Sequence, residues 1–248
     1  MSFLETTGYK ATVSSGYHSA TSKPGVWIFE PDSSIEPAGV ELVSPPMPLD
    51  EGLEALDKFF AWAKEYGAEA NESTGFHMGV SIPGQTMENI DHLKLIIFLG
   101  DEYVLSQFGR SNNSFTKSSL AKIRAKIDNA EVDALEVMNA FKQGLSSEAA
   151  KMMGEKLLPK GNRYVSVNIK ENYIEFRSAG GNYFEKIPEI KNTMLRYVRA
   201  MAIAADPQAE KNEYVKKLYK MLSDYFPKEF ETIKFFSKYA SGLFNRQD

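Results

Sequence analysis

The chain contains no cysteine and only three histidines in 248 residues. The first absence excludes disulfides and thiolate metal sites, and it fits a reducing compartment. Any metal would have to be held by carboxylates and a few imidazoles, the donors of hard and borderline cations. Long apolar runs are missing too. Nothing approaches the roughly 18 residues a membrane span needs, so no membrane association is expected. The opening stretch, MSFLETTGYKATVSSGYHSA, has no basic segment leading into an apolar one, so no secretory signal is expected. Positive charge is not in excess either: the net charge is −4, which argues against a general nucleic-acid binder. A soluble, cytoplasmic chain is the expectation.

What is present is ordinary globular material, 43% hydrophobic and 25% charged, enough to bury a substantial core. Residues 1–24, rich in Ser, Thr, Gly and Tyr, show weak periodicity and read as an irregular lead-in. Two β-like runs follow, Val26–Phe29 and Val40–Val43, with a polar turn-rich link between them and Pro45-Pro46 behind. Leu53, Leu56, Phe60 and Ala63 recur at helical spacing, with Asp50 as a candidate cap and Gly67 as a stop. A short strand over 75–82 ends at Pro83-Gly84, and residues 87–108 read as a helix with a bend at Gly100. The polar segment at about 117–158 reads as a helical insertion. Two strands, RYVSVNI and NYIEFRS, then flank Lys170-Glu171, a two-residue link that predicts an antiparallel hairpin. Beyond Gly180-Gly181, which lacks the context of a phosphate loop, helices are expected at about 188–205, 208–224 and 227–243. Their aromatics, from Tyr214 to Tyr239, read as helical core. Strands clustered in two places, with long helices between and after them, predict one α+β domain over 1–248, with an antiparallel sheet in 25–182 and helices on one face.

Side chains alternate along a strand. In 75–82, Phe76, Met78, Val80 and Ile82 share one face, and His77, Gly79 and Ser81 the other. In 172–178, Ile174 and Phe176 oppose Tyr173, Glu175 and Arg177; Ser166 and Asn168 oppose Val165, Val167 and Ile169; Glu41 opposes Val40 and Leu42. Gathered on one sheet face, an imidazole, two carboxylates and an arginine could bind a divalent cation and an anion. The same alternation describes a plain solvated face carrying a surface ion pair. His18 and His92 are isolated and read as structural.

Several blocks, in order, resemble a known family. WIFEPDSSIEPAGVELVSP is similar to its Trp, Asp-x-Ser and Gly-x-Glu-Leu-Val-Ser-Pro block, and STGFHMGVSI to its Gly-x-His-x-His strand. FGRSNNSF resembles its arginine-containing segment, and RYVSVNI with YIEFR its closing pair. The family is the amidoligases, carboxylate–amine ligases with the glutamine synthetase-like fold. The resemblance implies ATP-dependent amide or peptide-bond formation through an acyl phosphate, with Mg²⁺ or Mn²⁺, acting on small-molecule or peptide carboxylates and amines. It places Glu41, His77 and Glu175 at metal-ligand positions. Arg177 and Arg163 stand at catalytic, phosphate-contacting positions, and Asn168, Ser81 and Arg110 at nucleotide- or substrate-binding ones. Two positions depart from the pattern: the family's opening Glu-x-Glu strand has no match before Trp27, and its second strand histidine is Gly79 here. The alternative expectation is therefore a degenerate or split member that binds rather than turns over, its site completed by a partner chain or by self-association.

Overall fold

The computed structural model describes residues 2–16, 23–113, 116–128, 165–181 and 183–225, and these form an α+β structure. They fall into two compact units, Met1–Gly75 with Gly181–Lys191, and Phe76–Gly180 with Asn192–Asp248. Of the helical segment expected at about 117–158, residues 129–158 lie outside the described residues, as do the helix expected at about 227–243 and His18.

In the first unit the described part of the lead-in is not irregular. It carries helix α1 (Phe3–Thr7) and strand β1 (Lys10–Val13). Ser2 and Glu5 close a reciprocal capping box at the helix start, and Gly8, at φ 77°, ends it. Strand β1 runs parallel to β2 (Val26–Asp32), which pairs antiparallel with β3 (Gly39–Val43). Trp27, Phe29 and Leu42, on one face of this sheet, pack with Phe3 and with Phe59 and Trp62 of α2 (Leu49–Glu65). The rings meet mostly edge to face, Phe3 on Trp62 at 5.0 Å. Helix α2 starts one residue before Asp50, behind Pro48, and no side chain caps it. Asp50 and Glu51 instead occupy the first turn, where carboxylates favour the helix dipole.

The second unit holds a sheet in the order β4-β6-β5, with β4 at Gly75–Val80, β5 at Val167–Ile169 and β6 at Ile174–Gly180. The single sheet expected from the sequence is thus two three-stranded ones, the first containing a parallel pair. The hairpin also shifts by one residue. Ile169 pairs with Ile174, and Lys170 N–H donates to Tyr173 O at 3.0 Å, so the tip is Glu171-Asn172 rather than Lys170-Glu171. Val80, Val167, Ile174 and Phe176 form the apolar side. They share one core with α3 (His92–Leu99), α5 (Ser119–Asp128), α6 (Ile187–Ala205) and α7 (Lys211–Tyr225), where Tyr214 is buried as expected. The helix expected over 87–108 is a 3₁₀ turn followed by α3 and α4 (Asp101–Gln107), parted by Gly100 at φ 60°. Left-handed backbone of that kind favours glycine. Among the described residues no helix is long and apolar enough to cross a membrane.

One buried polar clamp ties the sheet to the helices. Asp101, fully buried, accepts hydrogen bonds from the N–H groups of Ser119 and Leu120 and from the hydroxyls of Ser118 and Ser166. It thereby caps α5 from another helix and fixes Ser166, whose carbonyl receives Arg177 N–H at 2.9 Å. A half-satisfied clamp would cost more than an apolar one. Here all four donors point at the one carboxylate.

Candidate functional site

Central strand β6 separates two kinds of residue. Ile174 and Phe176 are fully buried on the core side, while Glu175 and Arg177 on the other side keep 18% and 20% of their side-chain surface. Those values matter because a solvated surface pair contributes little, whereas a mostly covered one is weakly screened. In register opposite Glu175 stands Asn168, and its Nδ2 donates to Glu175 Oε2 at 2.8 Å. Arg177 Nη1 reaches the same oxygen at 3.4 Å, and Lys170 Nζ lies 3.9 Å from it. Burial acts to raise the Glu175 pKa, but the Asn168 hydrogen bond and the charges of Arg177, His77 and Lys170 outweigh it and hold the carboxyl below its usual range.

His77 comes to this group from β4, the neighbour of β6. Along β4, Phe76, Met78 and Val80 turn toward the covered side while His77 and Gly79 are exposed. The alternation read from the sequence therefore places His77, Asn168, Glu175 and Arg177 together. Arg110 joins them from the loop behind α4. It is 4% exposed and its Nη1 donates to Ala179 O at 3.1 Å. Burial, and secondly the positive charge of Arg177, depress its pKa. Two guanidiniums thus share one region, and Glu175 is the carboxylate that faces Arg177. Arg177 Nε is buried and makes no hydrogen bond among the described residues. An N–H left in that state carries a desolvation cost that an anionic acceptor would remove.

Ser81 lies just past the end of β4, exposed, and is not among the groups that bond or pair with Glu175 or Arg177. Arg163 lies outside the described residues. Glu41 belongs to the first unit, where the register sets it directly opposite Glu30. Glu30 is 4% exposed. No motif in the sequence singles it out, although strand parity puts it on the face of Ile28. Among the described residues no three His, Asp or Glu side chains gather as a metal-binding group.

Gly79 has a structural explanation that the sequence does not suggest. A Cβ added there would meet Tyr173 Cδ2 at 3.1 Å and Cε2 at 3.3 Å. The tyrosine ring lies over the bare backbone, a cross-strand arrangement in which an aromatic covers glycine. Burial, and then the nearby Glu175, raise the Tyr173 pKa. At the position where the resemblance expects a second histidine, that ring crowds the space a side chain would leave by. Gly79→His and Tyr173→Ala should therefore be non-additive, coupled by about 1 kcal/mol, because the alanine makes room for the imidazole. Urea unfolding of both single variants and the double variant measures the coupling. Strict additivity would mean that the ring does not occupy the space.

A comparison with family models matches residues 6–183 to the one described as "Putative amidoligase enzyme". No curated protein and no solved structure matches the chain. The match runs through both strand groups, from the end of α1 to the end of β6 and just beyond. The chain belongs to the amidoligase family.

Proposed function

We propose that the chain is an ATP-dependent carboxylate–amine ligase, and the observation that carries this reading is the buried, unsatisfied Nε of Arg177 beside Arg110. Two guanidiniums suit an anion that changes hands during the reaction. A substrate carboxylate oxygen attacks the terminal phosphorus of ATP and ADP leaves. The amine nitrogen then attacks the acyl carbon, loses a proton and expels phosphate. In both steps negative charge builds on phosphoryl oxygens, and fixed donors aimed there lower the barrier more than any other single device.

The residues also fit a divalent cation. Mg²⁺ typically takes one or two protein carboxylates and completes its shell with phosphate oxygens and water. Glu175, kept ionised by its neighbours, and the imidazole of His77 are the donors of the second unit. In the first unit Glu41, in register with Glu30 on the neighbouring strand, is a further carboxylate of the kind that ligates such an ion. The ion would neutralise the phosphates; Arg177 and Arg110 would orient them, and Asn168 would hold Glu175 in place.

A second reading draws on β1. Its sequence, Lys10–Val13, contains no carboxylate, and Tyr173 covers Gly79. Both features favour a member that binds nucleotide without turning over, or one that a partner chain completes. Hydroxylamine separates the readings, because it traps acyl phosphates as hydroxamates. The intact chain, given Mg²⁺, ATP, hydroxylamine and a pool of amino- and dicarboxylic acids, should release hydroxamate and ADP in equal amounts. Glu175→Gln should reduce that release at least ~100-fold. Calorimetric binding of Mg²⁺ and ATP without hydroxamate would establish a member that binds without turning over, and absence of binding to the chain alone would sink the autonomous ligase and leave the member that a partner chain completes.

A further inference from the structure

The two guanidiniums of the second unit come from different elements. Arg177 stands on β6, whereas Arg110 follows α4, its N–H bonded to Leu105 O at 2.8 Å so that it continues the helix end. They repel one another: after burial, the charge of Arg177 acts to hold the Arg110 pKa down. Two like charges stay in one region only where the elements that carry them are tied together. Helix α4 is tied at both ends. Behind its last turn Arg110 Nη1 donates to Ala179 O at 3.1 Å, on the same strand as Arg177. In its first turn Asp101 accepts the Ser166 hydroxyl, and Ser166 O in turn accepts Arg177 N–H at 2.9 Å.

Capping α5 does not account for Asp101. Its four donors are neutral, two N–H groups and two hydroxyls, so the carboxylate buries a charge where Ser, Thr or Asn would cap at less cost. What the carboxylate adds is a second reach. Its Oδ2 accepts both from Ser119 N–H at the start of α5 and from the hydroxyl of Ser166, the residue just before β5. Helix α4, helix α5 and the strand pair β5–β6 therefore meet at one oxygen. We infer that Asp101 is a positioning residue: through Ser166 it sets where Arg177 and Arg110 stand relative to each other. The two guanidiniums can then present their donors to one phosphoryl group without drifting apart. Preorganised donors act only while their geometry holds, and a displacement of about 1 Å can cost up to about 100-fold in rate. The role in turnover rests on the ligase reading, but the tie between the two arginines does not.

Asp101→Ala would strip four donors of their acceptor and is expected to unfold the unit, so the test cuts the tie at Ser166. Ser166→Ala removes one donor and leaves Ser166 N–H on Lys117 O and Val167 N–H on Ser119 Oγ, which keep β5 attached. In the intact chain labelled with ¹⁵N-arginine, the Nε–H signals of Arg177 and Arg110 are assigned by Arg177→Lys and Arg110→Lys. Both signals should move in Ser166→Ala, while Arg199, exposed on α6, keeps its own. In the hydroxamate assay kcat per folded chain should fall about tenfold, with KM for ATP held within about twofold. A structural role alone would lower the urea midpoint and leave the signals and kcat where they are. Unmoved Arg177 and Arg110 signals overturn the proposal, and so does an unchanged kcat in a chain that forms hydroxamate. If the wild-type chain forms none, the ligase reading fails by itself, and the arginine signals alone decide whether Asp101 sets the pair.

Discussion

Phe176→Ala should destabilise the second unit by about 3–5 kcal/mol, a large share of the total stability of an ordinary domain. The ring is fully buried on the central strand of its sheet, opposite Val167. It stacks on Tyr197 at 4.3 Å with the planes 8° apart, so the loss comprises transferred area, a cavity and an aromatic contact. Backbone hydrogen bonds to β5 would fill none of that volume. Urea denaturation should show the midpoint falling with little change in slope, and the melting temperature should drop by roughly 10 °C. Phe176→Leu, which keeps most of the volume, should cost clearly less. A loss below about 1 kcal/mol for the alanine variant would mean that the core of this unit is organised around other residues. Val13→Ala, at an exposed position of β1, is the control and should be near neutral.

How much of this is legible in the sequence depends on the reach of each signal. Alternation is enough to sort Phe76, Met78 and Val80 from His77, and Ile174 and Phe176 from Glu175 and Arg177, because a half-buried strand repeats its pattern every two residues. Strand β1 escapes because it is four residues long and exposed at every one of them, so no period can show. The hairpin link has the expected length but a different place: Lys170 and Tyr173 form the last cross-strand hydrogen bond, and residue type alone does not mark that ladder end. Asp101 and Ser166 are 65 positions apart, and a clamp of that reach leaves no local trace. Tyr173 over Gly79 is of the same kind. The glycine reads as a missing ligand, and the residue that covers it sits beyond the strand's own neighbours in sequence. Glu30, in contrast, is within reach of parity reasoning, which sets it on the same face as Ile28.

Arg177→Ala should reduce hydroxamate formation by about 10²–10³-fold while leaving stability nearly intact. The two effects part because of how the guanidinium is held. Its Nε makes no hydrogen bond among the described residues, and its contact to Glu175 Oε2 is 3.4 Å long, so the folded state loses little when it goes. The developing phosphoryl charge would lose a planar pair of donors. Arg177→Lys keeps the charge and loses the fork, and should recover only part of the activity. Full recovery would reduce the role of Arg177 to a point charge. Acid behaviour supplies a second check. The Glu175 pKa lies below its unfolded value, held there against burial by Asn168 and by the Arg177, His77 and Lys170 charges. A carboxyl so placed contributes stability above its unfolded pKa and loses that contribution as pH falls through the folded one. Removing Arg177 raises the folded value and shrinks the contribution. The small stability gap between wild type and Arg177→Ala should therefore be widest near neutral pH and close as the solution is acidified below the ordinary carboxylate range. Arg177→Lys should show no such gap, because charge alone sets it, even where the lysine fails to restore turnover. A variant series in which activity and acid stability rise and fall together would instead make Arg177 a structural ion-pair partner of Glu175, with no separate work on phosphate.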